Sequence, residues 1–390
     1  MTKQPLRDFA LEVFFSEWEF TAKHHMTASD VESMSLTDLL ALASDDDKTA
    51  FEHQWLGYTQ TYGAPELRAV IADSYKTMSA DNILCHAGAS EAIYAVAKVL
   101  LTDGDHVIVP VPNYQSAESV PLTLCDVSSV PINYKKDGAP HDWHLSLDAI
   151  LDAIRPGTKM ISLNMPNNPT GHIMPLDDVM ALIEQCRKRG IYIFCDEVYR
   201  GIELDETNQI PQIADLYERG VSLNVMSKAY GLPGLRIGWI ASADKALLQK
   251  VERYKHYLSI CNSGPSEMLS LIALKAGDSI ISRNKKIMAD NLALLTELFH
   301  DFPDLFEFSA PLGGCVAFPK FTGAEGGAQF CQKAITQSGI LLLPSSIYAS
   351  QIGTVPDDHF RIGFGRDKVV KDGIAALRSH LERYYGEYHR

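Results

Sequence analysis

Residues 66–242 alternate between amphipathic stretches and short apolar runs, which leaves few folds open to the chain. The amphipathic stretches predict helices, and they cover 66–78, 90–101 and 175–189. The apolar runs predict strands, and they cover 107–111, 160–163, 191–195, 223–226 and 237–241. Short apolar strands that alternate with helices pair mostly in parallel, and helices cover both faces of their sheet. We therefore expect an α/β fold with a mostly parallel sheet.

The pattern changes in the last third of the chain. Helices are predicted near 244–258, 264–276 and 278–300, and short strands at 316–318, 340–343 and 360–364 beside two further helices. This second unit reads as a smaller α+β domain, and 390 residues suffice for one large and one smaller domain. Near the other end, three aspartates within 44–48 predict a solvated turn.

Charge and cysteine usage exclude several classes of protein. The formal net charge of −14 argues against nonspecific binding to nucleic acid or to an anionic membrane. The seven cysteines are scattered and show no C-x-x-C pair, so neither a zinc site nor a disulfide framework is predicted. The first 20 residues lack a signal-peptide pattern, and no run of 18 apolar residues occurs. We expect a cytoplasmic protein without metal ligands.

Lys228 is the most informative single residue. The apolar run 223–226 leads into Lys228, which stands in a short loop with two glycines, and Arg236 follows eight residues later. Burial lowers the pKa of a lysine and makes it a nucleophile suited to Schiff-base chemistry. Arg236 offers a fixed fork of donors for a phosphate. An isolated Ser-Lys pair is usually a surface turn, so the interpretation depends on the other motifs.

Two further motifs follow predicted strands. Residues 164–171 read Asn-Met-Pro-Asn-Asn-Pro-Thr-Gly, and residues 196–199 read Asp-Glu-Val-Tyr. In order and spacing, these motifs and the Lys228 loop resemble the class I and II aminotransferases over roughly residues 55–385. These are fold-type I enzymes that use pyridoxal 5′-phosphate (PLP). The resemblance implies a large PLP-binding domain at 49–290. It also implies a discontinuous small domain, 1–48 plus 291–390, because the N-terminal segment packs onto the C-terminal unit.

The resemblance implies a role for each motif residue. Lys228 holds PLP as a Schiff base and later removes the α-proton of the substrate. Asp196 binds the pyridine nitrogen, and Tyr199 and Asn168 donate to the phenolic oxygen of the ring. Tyr114, which follows a predicted strand, stacks on the cofactor. Lys228, Asp196 and Tyr199 are thus the expected catalytic residues.

The phosphate group is expected at the start of a helix. The Gly-Ala-Ser stretch before residue 90 predicts a helix N-terminus that backbone N–H groups make suitable for an anion. The resemblance implies that the phosphate is held by Ala89, Ser90, Glu91 and Arg236. Val225 departs from the family, since most relatives carry Ser or Thr there. Either one phosphate contact is missing or Ser227 replaces it.

Two other residues match family positions. Tyr58 matches the tyrosine that reaches the phosphate of a neighbouring subunit, which implies a homodimer with shared active sites. Arg361 matches the arginine that binds the substrate α-carboxylate, together with Asn168, a bidentate task that lysine cannot perform equally well.

The window 8–47 is unusual because it holds ten acidic residues and one basic residue, Lys23. Most simply these acids form a solvated face. Alternatively some of them, among Glu17, Glu19, Asp30 and Glu32, line the substrate pocket and favour a cationic side chain. This window and residues 58–63 also resemble a subgroup that includes capreomycidine synthase. That resemblance gives His24 and His25 acid–base roles.

We expect a PLP-dependent aminotransferase acting on an amino acid. The alternative is a PLP-dependent eliminase or cyclase of a hydroxylated, arginine-like amino acid, in which the same carbanion expels a leaving group. A PLP-binding transcription regulator is disfavoured, because it needs a fused DNA-binding domain and a basic patch.

Overall fold

The computed structural model describes residues 4–135 and 141–388. The α-helices of this part of the chain are α1 Ala10–Trp18, α2 Leu36–Ala41, α3 Asp45–Glu52, α4 Pro65–Ala72, α5 Ala89–Leu100, α6 Ser116–Leu122, α7 Leu147–Ala153, α8 Leu176–Arg189, α9 Ile213–Leu216, α10 Lys245–Lys255, α11 Gly264–Lys275, α12 Gly277–Asp301, α13 Gly327–Ser338 and α14 Lys368–Tyr385. The strands are β1 His24–His25, β2 Ile83–His86, β3 His106–Val111, β4 Asp126–Tyr134, β5 Trp143–Leu145, β6 Thr158–Asn164, β7 Tyr192–Asp196, β8 Gly220–Val225, β9 Gly238–Ala241, β10 Phe306–Glu307, β11 Val316–Ala317, β12 Lys320–Phe321, β13 Ile340–Leu341, β14 Leu343–Pro344 and β15 Phe360–Gly363.

Eight strands form a central sheet in the order β2-β9-β8-β7-β6-β3-β4-β5. The neighbouring pairs from β8 through β7, β6 and β3 to β4 are all parallel. Strand β9 runs antiparallel to both of its neighbours, and β5 runs antiparallel to β4. The expected α/β fold with a mostly parallel sheet is therefore confirmed.

The inner strands are buried on both faces, because helices cover both faces of the sheet. Every residue of β3 and of β8 is buried. A strand buried on both faces lacks the alternation of a half-exposed strand, which explains the continuous apolar runs in the sequence. The carboxyl ends of β6, β7 and β8 lie at one edge, so the residues that follow these strands are brought together there.

The C-terminal part is built on small sheets. Strand β15 lies between β11 and β14 in an antiparallel sheet, and β10 pairs with β12. The N-terminal strand β1 pairs in parallel with β13, so residues 24–25 lie against residues 340–341. The expected boundary between 290 and 291 falls inside the 25-residue helix α12, and the division into domains stays a prediction.

Some elements differ from the sequence-based expectation. Helix α4 ends at Ala72 rather than near 78, because the backbone N–H groups of Lys76 and Thr77 donate to the Asp215 carboxylate. The expected turn at 44–48 is instead the start of α3. Ser44 caps that helix, and the aspartates of its first turn interact favourably with the helix dipole.

Strands β2, β4 and β5 have no counterpart among the predicted strands. Strand β4 includes Asp126, Ser128 and Ser129 and is only partly buried, so it lacks an apolar run. Across the described ranges, every helix is either too short or too polar to traverse a bilayer.

Candidate active site

A cavity of about 420 Å³ lies at the carboxyl ends of the parallel strands, under helix α1. Residues from α1, the 25–30 segment, the start of α5, the β6, β7 and β8 ends and the C-terminal part form its wall. Nine of the residues predicted to bind the cofactor or act in catalysis line it: Ala89, Ser90, Tyr114, Asn168, Asp196, Tyr199, Ser227, Lys228 and Arg236. Residues far apart in sequence are thus gathered at one place, as expected for an active site at the end of an α/β sheet.

Lys228 stands three residues beyond the end of β8, where its amine reaches into the cavity. Its Nζ donates a hydrogen bond to Ser29 Oγ at 2.9 Å. Burial lowers the pKa of Lys228 below its ordinary value, and the Asp30 and Asp196 carboxylates oppose that shift. A lysine amine with a lowered pKa is a better nucleophile and base near neutral pH.

Asp196 is the last residue of β7, next to the end of β6. Asn164, the last residue of β6, donates from Nδ2 to the Asp196 carbonyl at 2.9 Å and accepts the Asn168 N–H at 2.7 Å. Burial raises the pKa of Asp196 to about 6, and the Val198 N–H and Lys228 oppose this shift. A cationic group in the cavity beside Asp196 would favour its ionised form.

Tyr199 lies just after β7 and is almost fully buried. Its hydroxyl donates to the Ser29 carbonyl at 3.0 Å, so Ser29 contacts both Lys228 and Tyr199. Sequence reasoning assigned no role to Ser29. It stands in the Thr-Ala-Ser-Asp stretch, whose likeness to the capreomycidine synthase subgroup was the only signal.

The start of α5 forms an anion-binding corner. Gly88 is the N-cap with φ +91°, and no side chain caps the helix. A Cβ at Gly88 would lie 2.6 Å from Arg236 Nη2, so a larger residue there would push the guanidinium away from the start of the helix. Arg236 itself holds the left-handed conformation, with φ 52°. Its Nη1 donates to Ser227 Oγ at 3.4 Å, so Ser227 and Arg236 meet beside the uncapped helix, as a phosphate site requires.

Glu91 and Tyr58 do not line this cavity. The Glu91 carboxylate accepts the backbone N–H of Ala87 at 2.7 Å. The phosphate contact predicted for Glu91 uses the backbone N–H of Glu91 instead. The Tyr58 side chain is 90% exposed at the surface. The contact predicted for Tyr58 is with the phosphate of a neighbouring subunit, so it does not require Tyr58 to line the cavity of its own chain.

Arg361 is fully buried beside the cavity but not on its wall. Its Nη1 donates to Tyr348 Oη at 2.7 Å and to Asn168 Oδ1 at 3.3 Å, and its Nη2 donates to the Thr27 carbonyl at 2.6 Å. Its Nε has no hydrogen-bond partner in the described structure. A buried guanidinium donor without an acceptor is costly, so an anionic ligand would stabilise it. No sequence signal pointed to Tyr348.

The N-terminal segment forms part of the cavity wall. Glu12, Phe15, Glu19, His25 and Asp30 line it, whereas Glu17 and Glu32 do not. Arg366, which sequence reasoning did not single out, also lines it and donates two hydrogen bonds to the Asp30 carboxylate, at 2.9 and 3.0 Å.

The site has the groups that PLP needs. A buried amine and a buried carboxylate face one cavity, and an uncapped helix start with an arginine lies at its edge. No cluster of three His, Cys, Asp or Glu side chains suited to a metal ion occurs in ranges 4–135 and 141–388. The chemistry of the site is therefore that of an amine, a carboxylate and an anion-binding corner.

Two curated proteins resemble this chain over most of its length. Capreomycidine synthase from Streptomyces vinaceus is 25% identical over 386 residues, which cover 97% of this chain and 95% of the relative. Aspartate aminotransferase from Pyrococcus horikoshii is 23% identical over 330 residues, or 82% of either chain.

Solved structures agree in fold. A PLP-dependent aminotransferase from Streptococcus suis superposes with a TM-score of 0.89 at 29% identity, covering 98% of this chain and 99% of that one. The PLP-dependent cyclase OrfR superposes with a TM-score of 0.85 at 25% identity, covering 98% and 100%.

The family model for class I and II aminotransferases matches residues 28–377. This span includes the lysine, aspartate and arginine groups described above and the whole central sheet. The chain therefore belongs to the class I and II aminotransferases, a family of enzymes that depend on pyridoxal phosphate.

Proposed function

We propose that the protein is an aminotransferase that acts on an amino acid, with PLP linked covalently to Lys228. One observation carries this proposal: the Lys228 amine, the Asp196 carboxylate and the anion-binding corner at Arg236 line a single cavity. Bound PLP would act there as an electron sink for the carbanion formed at the substrate Cα.

The proposed cofactor contacts follow from the geometry. The first N–H groups of α5, the Ser90 and Ser227 hydroxyls and Arg236 hold the phosphate. Asp196 keeps a proton on the ring nitrogen, because a buried carboxylate stabilises an adjacent cation. Tyr114, which lines the cavity and packs on Phe9 at 5.1 Å between ring centroids, lies against the ring.

The proposed substrate contacts use the remaining groups. Arg361 binds the α-carboxylate, and its unpartnered Nε is one of the donors. Asn168, whose Oδ1 accepts from Arg361 Nη1 at 3.3 Å and which lines the cavity, would contact both the substrate carboxylate and the bound cofactor. The Lys228 Nζ takes the proton from Cα, and its lowered pKa favours the neutral amine that this task needs.

Helix α1 would restrict the access of water to the occupied site. The Ala10 N–H donates to Gln115 Oε1 at 2.9 Å, and the Gln115 Nε2 donates to the Asp8 carbonyl at 2.8 Å. These bonds hold the helix over the cavity. Exclusion of water strengthens the electrostatic contacts inside the site and protects reactive species from hydrolysis.

A second candidate function is elimination or cyclisation. Its support is twofold: capreomycidine synthase and the cyclase OrfR match nearly the full chain, and acidic residues line the cavity. The substrate would then be an arginine-like amino acid with a leaving group on its side chain.

One experiment separates the two candidates. PLP-loaded protein is mixed with an amino acid in the absence of any 2-oxo acid, and products are quantified per active site. An aminotransferase stops after one equivalent, with its cofactor in the amine form, and restarts when a 2-oxo acid is added. An eliminase or cyclase continues without one. Absence of product and of any change in cofactor absorbance with every amino acid tested refutes both.

A homodimer is also proposed. Six large apolar side chains are exposed in two adjacent segments, namely Trp55, Leu56, Tyr58, Tyr257, Leu258 and Ile260. The segments are joined by the Thr59 hydroxyl, which donates to the Asn262 carbonyl at 3.0 Å. A second copy would cover this surface, since soluble monomers rarely expose large apolar patches. Tyr58 would then reach the phosphate of the partner subunit.

Three further points are proposed. The seven cysteines are free thiols, which fits a reducing compartment such as the cytoplasm. The charge of −14 favours a small-molecule substrate over nucleic acid or an anionic membrane. Residues 49–290 form the large domain, and 1–48 with 291–390 the small one; the β1–β13 pair supports this division.

A further inference from the structure

One face of α1 carries two carboxylates with a phenyl ring between them. Glu12 and Phe15 belong to the helix, and Glu19 is its C-cap residue, which keeps helical backbone angles. At spacings i, i+3 and i+7 the three residues share one side of the helix, and all three line the cavity. Glu17 belongs to the same helix but does not line the cavity. At 1.5 Å per residue the two glutamates stand about 10 Å apart along the helix. We call these three residues the acidic face of α1.

Neither carboxylate forms an ion pair within the described ranges; Glu12 is exposed and Glu19 is half-buried. Arg366 is paired with Asp30 through two hydrogen bonds, and its charge also interacts with that of Glu19. The remaining cavity charges are the groups assigned above to the cofactor. Within the described ranges, no Lys, Arg or His comes within 4.0 Å of the Glu12 or Glu19 carboxylate. A ligand with a positive charge would complement this wall.

His25 is a second, independent sign of a polar ligand. Its side chain lines the cavity and is only 8% exposed, yet neither ring nitrogen has a hydrogen-bond partner in the described structure. Its ring centroid lies 5.7 Å from that of Phe15. Burial and the Arg366 charge lower the pKa of His25 and thereby favour the neutral ring, which can accept one hydrogen bond. Buried polar atoms normally have partners, and a ligand N–H can supply one.

The acidic face also adjoins the proposed carboxylate site. The Arg361 guanidinium carbon lies 5.9 Å from the Phe15 ring centroid. A substrate whose α-carboxylate reaches Arg361 therefore has Phe15 within reach of its side chain.

We propose that the acidic face of α1 and His25 form the side-chain subsite of the enzyme, and that this subsite takes an amino acid whose side chain ends in a guanidinium or ammonium group. The inference rests on the function proposed above and adds its substrate class. The cation lies over the Phe15 ring between the two carboxylates, and His25 accepts one of its N–H groups. An acidic side chain is repelled by the same wall.

The test compares charged amino acids with neutral ones of matched shape. PLP-loaded protein is titrated with L-arginine against L-citrulline, and with L-lysine against L-norleucine. The change in visible absorbance on mixing gives an apparent Kd for each. We expect at least tenfold tighter binding of the charged member in one pair, and that pair identifies the group as guanidinium or ammonium. L-glutamate is expected to bind more weakly than either neutral compound.

Variants assign the effect to the subsite. Glu12→Gln and Glu19→Gln, singly and together, should lower the charged-to-neutral ratio stepwise, because they remove charge and keep shape. Glu17→Gln is the matched control and should keep the ratio. His25→Phe keeps a ring but loses both nitrogens. It should weaken arginine and citrulline alike by about threefold to tenfold and leave norleucine unchanged.

Each outcome decides between the ideas. If the charged and neutral amino acids bind equally in both pairs, the proposed cationic subsite is wrong, while the aminotransferase proposal stands. An unchanged ratio in both single glutamate variants overturns it as well. Protein that responds to no amino acid at all refutes the proposed function itself.

Discussion

The Lys228 amine donates to the hydroxyl of Ser29, 199 positions earlier in the chain, at 2.9 Å. The Ser29 carbonyl in turn accepts the Tyr199 hydroxyl at 3.0 Å. One residue of the N-terminal segment thus touches two of the groups proposed to act in catalysis. We expect Ser29 to act as a positioning residue, because its hydroxyl accepts a hydrogen bond from the lysine amine.

Ser29→Ala should lower turnover by about twofold to tenfold, the worth of one net hydrogen bond, because the free Lys228 amine loses its acceptor. The contact of Tyr199 is with the backbone and should persist. The check is the pH profile of turnover, whose Lys228-dependent limb should shift. Ser33→Ala, at an exposed serine of the same segment, is the control. An unchanged profile in Ser29→Ala would mean that the hydroxyl has no role.

Lys228→Ala should lower turnover by about 10³-fold or more, because both the covalent link to the cofactor and the proton acceptor are lost. Borohydride reduction followed by mass measurement should add one cofactor mass to the wild type and none to the variant. Lys245→Ala, at an exposed lysine near Asp81, should retain the added mass. If reduction also adds the cofactor mass to Lys228→Ala, the cofactor is linked to a residue other than Lys228.

Gly88→Ala should weaken PLP binding by at least about tenfold, because its Cβ would displace Arg236 from the start of α5. Gly104→Ala is the matched control. Gly104 has nearly the same φ, +90°, but nothing lies within 4 Å of its added Cβ. Both glycines hold a positive φ, so both variants carry backbone strain of about 1–3 kcal/mol, and only the first should lose cofactor. Equal PLP dissociation constants for the two would contradict the anion-binding corner.

Relative to the wild type, Glu197→Gln should stabilise the cofactor-free protein more at pH 8 than at pH 5. The Glu197 side chain is buried. Its Oε1 accepts from the Ile213 N–H at 2.8 Å and the Ser222 hydroxyl at 3.0 Å, while Oε2 has no partner in the described structure. Burial raises the pKa of Glu197 to about 7.

Between about pH 4.5 and pH 7 the unfolded carboxyl has lost its proton and the folded one keeps it, so the wild type loses stability as pH rises. Glutamine mimics the protonated form and escapes this loss. The Tm difference, variant minus wild type, should therefore grow by about 2 °C or more from pH 5 to pH 8. Exposed Glu184 pairs with Lys188, which lowers the pKa of its carboxyl, so the difference for Glu184→Gln should stay flat. A flat difference for Glu197→Gln would contradict the raised pKa.

Tyr58→Phe should weaken PLP retention by about twofold to tenfold if the hydroxyl reaches the partner's phosphate, as a lost hydrogen bond predicts. Tyr384→Phe, at an exposed position on α14, is the control. PLP release is followed by absorbance, and sedimentation gives the assembly state. A monomeric wild type with full activity would rule out the shared site.

The sequence predicts five of the eight strands of the large sheet, β3, β6, β7, β8 and β9, because these contain apolar runs. Lys228 and Asp196 were predictable for the same reason, since each follows such a run near the end of a strand. Tyr348 and Arg366 were not, because they reach the site only through contacts that span 180 and 336 positions. No local sequence pattern indicates contacts between residues so far apart in the chain. Strand β4 escaped prediction because its serines interrupt the apolar run.

The pairing of β1 with β13 has a consequence for the order in which the site is assembled. Residues 24–25 are held by residues 340–341, and the Met26 carbonyl accepts the Gly363 N–H at 2.7 Å. These two anchors of the segment that carries Ser29 are synthesised late, although the segment itself leaves the ribosome first. The partners of Ser29 itself, Tyr199 and Lys228, are available earlier. The β1–β13 pair can therefore complete the seating of this segment over the site only when most of the polypeptide is present.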